Sequence, residues 1–198
     1  MGSYFANLFT KTKDEQLLKD KITAYYSSLG ITPCDSENSD IVVSLFSPEH
    51  SEWTSICSDA FTHNDILALS KPIAESTNTD VISVACFDSD YLFLNLLNSE
   101  KDFDLWLNIG DTPEIKKPRR SNVAGWKGHV ADHARFKAAA GKDYVCAEDF
   151  LLEAQEDLGI PAEQCAGYGL PEATAVLYFM LTGKAPWIVE LNREQTYR

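Results

Sequence analysis

Residues 81–107 leave little freedom in how this chain folds. Val81–Phe87 is dense in β-branched and aromatic residues. Asp88-Ser89-Asp90 follows, and short polar side chains of this kind bond to their own backbone in tight turns. Tyr91–Leu97 returns as a second apolar run, and Phe103, Leu105 and Leu107 then alternate with Asp104 and Trp106. The spacing predicts a three-stranded antiparallel meander, ended by Gly110 and Pro113.

The rest of the first half adds strands and two helices. Phe5, Leu8 and Phe9 predict an opening strand. Thr12-x-x-Glu15 has the form of a capping box, and Leu18, Ile22, Tyr25, Tyr26 and Leu29 follow at helical spacing until Gly30. Ile41–Phe46 and Trp53–Cys57 predict a hairpin across a turn at Pro48 and Glu49. Ile66, Leu69 and Ile73 predict a helix over 62–76, kinked or ended near Pro72. Beyond a long loop the pattern becomes helical: His129–Ala140, Ala147–Leu158 before Gly159, and Pro171–Leu181 before Gly183, with a last short strand at Trp187–Leu191.

Strands before residue 110 and helices after it point to an α+β fold rather than regular βαβ units. The expectation is one mainly antiparallel sheet of five or six strands, with helices packed on one face and a helical C-terminal portion. A single domain is expected over 1–198: a strand-rich segment over 1–110, a basic loop over 111–128 and a helical segment over 129–198.

Composition matters here mainly through charge. The net charge of −13 is unevenly distributed along the chain. Residues 35–115 hold 16 acids opposed only by Lys71 and Lys101, a net of −14, whereas 116–142 hold eight bases against Asp132, a net of +7. Such neighbouring poles either fold against each other or face different partners. The first is the simpler reading, with the basic stretch lying over the acidic sheet. Five widely spaced cysteines with no CxxC pair read as reduced thiols, mostly buried. No run approaches the ~20 apolar residues of a membrane span, and Met1–Ala6 lacks a signal-peptide pattern. These features predict a soluble, cytoplasmic protein.

One stretch carries a resemblance. Trp53-Thr54-Ser55-Ile56, the helix after it, Thr79-Asp80-Val81 and the turn Asp88-Ser89-Asp90-Tyr91-Leu92 together resemble a loosely defined group of uncharacterised bacterial proteins. The resemblance covers roughly residues 40–110. It implies the hairpin and attaches no activity.

Three constellations are candidates for chemistry. Asp88 and Asp90, with Asp102 and Asp104 on the neighbouring strand, form an acidic face if they converge at one sheet edge. Clustered carboxylates bind divalent cations or divide acid and base roles, whereas turn and solvated positions do neither. Lys116, Lys117, Arg119 and Arg120 with Trp126 form a basic loop of the kind that holds phosphates and stacks on bases. The overall negative charge opposes nucleic acid. His129 and His133, with Asp132 between them, sit one turn apart if helical, a spacing that suits zinc. The order His-Val-Ala-Asp-His is not that of the zinc proteases and no third ligand is evident, so no metal and no cofactor are expected.

No nucleophile elbow, phosphate loop or dinucleotide fingerprint is present in the sequence. The favoured reading is therefore a non-enzymatic interaction protein, immunity-protein-like, that binds a basic protein partner through its negative face. The alternative is an enzyme whose basic loop clamps an anionic small substrate against the sheet, with Asp88, Asp90 or His133 moving the proton.

Overall fold

In the computed structural model, which describes residues 2–98, 103–111, 119–167 and 170–181, eight strands form one sheet antiparallel at every pairing. The strands are β1 (Phe5–Thr10), β2 (Ile31–Pro33), β3 (Ile41–Phe46), β4 (Thr54–Cys57), β5 (Val81–Phe87), β6 (Tyr91–Asn98), β7 (Phe103–Gly110) and β8 (Ala175–Leu181). Their spatial order is β2-β8-β3-β4-β1-β5-β6-β7. The expected meander is β5-β6-β7 and the expected hairpin is β3-β4.

The α+β class and the single antiparallel sheet hold, but the sheet has eight strands, not five or six. The two extra strands are β2, three residues long, and β8, which replaces the helix expected over 171–181. β8 inserts between β2 and β3 and pairs with both, so backbone hydrogen bonds on two sides override a helical-looking spacing. Its side chains alternate: Phe179 is fully buried with Leu177 and Leu181 packed beside it, while Val176 and Met180 are exposed.

Helices cover both faces of the sheet, which corrects the expectation of one covered face. On one face lie α1 (Glu15–Ser28) and α2 (His63–Thr77), whose Leu18, Ile22, Ile66, Leu69 and Ile73 pack on Leu8, Val43, Ile56, Ala85 and Phe93. On the other lie α3 (His133–Ala140), α4 (Asp149–Leu158) and the short α5 (Ala162–Cys165), whose Phe136, Phe150 and Leu158 pack on Val84, Leu94 and Leu107. Every residue of β5 is buried, because consecutive side chains enter opposite cores.

Local signals explain the element ends. α1 starts at Asp14, whose carboxylate accepts the Leu17 amide, so this cap displaces the expected Thr12 box. A capping box of Thr62 and Asp65 starts α2, which continues past Pro72 and ends at left-handed Asn78. α3 starts four residues later than expected because Asp132 caps it, accepting the amides of Ala134 and Arg135. The outer edge of β7 is met by residues 121 and 122 of the basic stretch: the Asn122 backbone amide donates to the Trp106 carbonyl and the Asn108 backbone amide to Ser121 Oγ. No described helix is long and apolar enough to cross a membrane. The strand expected at Trp187–Leu191 lies outside the described residues.

Candidate functional site: a carboxylate-rich end of the sheet

In an antiparallel sheet, alternate strand termini share one end. Here the end where β1 and β3 begin is also where β4 and β5 finish, β6 begins and β7 finishes. Each of those termini except that of β1 carries an acid: Asp40 before β3, Asp59 after β4, Asp88 and Asp90 in the β5–β6 turn, and Asp111 after β7. Glu148 and Asp149 join them at the start of α4, where the Ala147 amide donates to the Ser89 carbonyl. None of these seven carboxylates forms an ion pair with a described residue.

The β5–β6 turn is built for this position. Asp88 (φ 48°) and Ser89 (φ 59°) both occupy the left-handed region, as a tight hairpin turn requires, and the Asp90 amide donates to the Phe87 carbonyl. The Gly2 amide donates to Asp88 Oδ1 at 2.9 Å and the Ser3 amide to Ser89 Oγ at 2.7 Å, pinning the chain start to the turn. Ser89 Oγ donates in turn to Glu148 Oε1 at 2.7 Å. Burial raises the Glu148 carboxyl, but hydrogen bonds from Ser89, Ser3, its own amide and the Cys86 thiol outweigh burial and hold it below the ordinary carboxylate range.

Several ion pairs lie away from this end. At the opposite end of the sheet Lys11 bridges Glu52 and Asp80. Arg119 pairs there with Asp104 and lies 4.8 Å over the Trp106 ring. Arg135 holds Glu156 and Asp157, and Lys142 holds Glu153, on α4. The basic stretch is thus divided. Its residues 121 and 122 bond to β7, and its helical portion, α3, lies on one face of the sheet with Arg135 and Lys142 paired to α4.

Beside the acidic end is a cavity of about 440 Å³. Its walls come from the first residues of β1, from Val42 and Ser44 of β3, from Cys57 and Cys86, from Asp59, Phe61 and His63 around the start of α2, and from Ala166, Gly167 and Leu170. One wall is fixed by the Asn7 side chain, whose Nδ2 donates to the Cys165 carbonyl at 2.7 Å, and by Ser55 Oγ, which donates to Gln164 Oε1. His63 sits edge-on to Phe87. Burial, with Asp59 beside it, pushes the Cys57 thiol up to about 12, and burial together with Glu148 pushes Cys86 upward too. Both thiols are protonated at neutral pH and are poor nucleophiles.

The structure separates the residues singled out in the sequence. Asp88 and Asp90 share the acidic end. Asp104 sits opposite Leu97 near the far end of β6, about 20 Å away at ~3.4 Å per residue, and is occupied by Asn95, Trp106 and Arg119. Asp102, Lys116 and Lys117 lie outside the described residues, and Arg120 is exposed. Trp126 is not a stacking residue of the basic loop. It is fully buried, 5.3 Å from Phe136, because the loop folds into a short 3-10 turn whose apolar side enters the core. His129 and His133 are not one turn apart on a helix: His129 precedes α3 and packs on Phe103, while His133 Nε2 bonds the Val123 carbonyl. No group of three or more metal-ligating side chains occurs among the described residues.

Reasoning from sequence missed Asp40, Asp59, Asp111, Glu148 and Asp149. For the first three a signal existed, namely acids at alternate ends of successive strands. Compared with protein-family models, curated proteins and solved structures, the chain matches none.

Proposed function

We propose that this chain is a binding protein that docks a basic protein partner on the carboxylate-rich end of its sheet. The observation that carries this reading is the set of seven carboxylates gathered there by topology, none in an ion pair with a described residue, while Lys11, Arg119, Arg135 and Lys142 pair with other acids. A one-signed surface of this kind accelerates encounter with an oppositely charged partner and selects against acidic ones. Toxin-neutralising immunity proteins act through such complementarity, and a cytoplasmic location suits that role. The alternative, an anionic substrate clamped by the basic loop, loses support because Arg119 is engaged by Asp104 and Trp126 is buried in the core.

The test compares two charge-matched variants. One carries Asp59→Asn, Asp88→Asn, Asp90→Asn and Asp111→Asn. The other carries Asp20→Asn, Glu49→Gln, Glu75→Gln and Glu156→Gln, all exposed and away from the acidic end. Binding of an oligolysine peptide, followed by calorimetry, should weaken at least about tenfold in the first and change little in the second, with a steep salt dependence in the wild type. Equal losses in both variants would reduce the effect to net charge and end the proposal.

A further inference from the structure

We propose that the cavity beside the acidic end receives one long cationic side chain, lysine or arginine, from the basic partner. This inference rests on the reading of the sheet end as the docking face. Volume comes first: about 440 Å³ is more than ten times the ~30 Å³ share of a water molecule, ample for a whole side chain.

The chemistry of the walls selects the guest. Phe5, Phe46, Phe61 and Phe87 line the cavity, apolar surfaces that suit the aliphatic stem of a long cationic side chain. Among the described lining residues Asp59 is the one carboxylate, and there is no lysine or arginine. The positive end of α2 also borders the cavity. Its charge is answered internally, since the Thr62 amide and hydroxyl both donate to Asp65 Oδ2, at 2.7 and 2.6 Å. An ammonium or guanidinium entering here meets the Cys57 and Cys86 thiols, aromatic side chains, His63 and the Asp59 carboxylate, with the other acids of the sheet end outside.

The test uses two glycine-spaced peptides of equal length and charge, one bearing lysines and one bearing diaminobutyrate, whose ammonium stands on a stem two carbons shorter. Titrations at about pH 6 keep both amines charged. Wild-type protein should bind the lysine peptide at least about tenfold more tightly, the scale of an anchor residue filling its pocket. Ser44→Leu, which fills the cavity without changing charge, should bring the lysine peptide down to the affinity of the short-stem peptide. Equal affinities on wild-type protein overturn the pocket whether or not the variant folds. If both peptides then still weaken with the four-aspartate variant, the docking face survives without its pocket. Failure of both peptides to bind overturns the two readings together.

Discussion

Asp157 shows how a single side chain fixes the α3–α4 pair. Its side chain is fully inaccessible and accepts two hydrogen bonds from Arg135, at 3.0 and 2.8 Å, and one from the Asp132 amide. Those bonds, the Arg135 pair first, hold its carboxyl below the ordinary range. Asp157→Asn should destabilise the protein by about 2 kcal/mol in denaturant unfolding, the scale of hydrogen bonds to a charged group. Glu148 gives a pH signature at the same scale. Its carboxyl is lowered in the folded state, so its contribution is present above the unfolded value of about 4.3 and is lost as pH falls through the lower folded value. Glu148→Gln should therefore flatten the acid limb of the stability–pH curve while leaving the alkaline limb unchanged. Trp126 was misplaced from sequence because five bases between residues 116 and 127 mark a solvated loop, and nothing local says that one ring of it enters the core. Trp126→Ala should cost about 4 kcal/mol, as large core truncations do; a loss under about 1 kcal/mol, as surface positions show, would contradict its burial.

At the scale of elements, the meander, the β3–β4 hairpin and α1, α2 and α4 were legible because each carries its own period and stop signal. β8 was not. Ala175–Leu181 satisfies a helical spacing and a strand alternation at once, and only the vacant place between β2 and β3 decides between them. The strand reading is testable by alternation. Phe179→Ala should cost about 4 kcal/mol, whereas Val176→Thr, on the exposed side, should cost less than about 0.5 kcal/mol. Comparable losses at both positions would contradict it. The second helical layer, by contrast, left a signal in the sequence. Val81–Phe87 does not alternate, and a run of that kind marks a strand buried on both faces.

For the whole molecule, the two cores share one sheet, with neighbouring residues of β5 and β6 entering opposite sides. We propose that the chain unfolds as one domain, so that probes on α2 and on α4 should report coincident transitions. The candidate site belongs to this scale too. Its acids are scattered over more than a hundred residues of sequence, and only the order and direction of the strands bring Asp59, Asp88 and Asp111 to one end. The charge asymmetry was legible in the sequence; its place on the molecule was not. The most direct measurement is a backbone amide shift map recorded while an oligolysine peptide is titrated into the protein. With the docking face at the carboxylate-rich end, the perturbed amides cluster at residues 58–63, 87–91 and 146–150 and at Asp111. Perturbations spread evenly over the surface, or confined to the far end around Asp80 and Asp104, would contradict it.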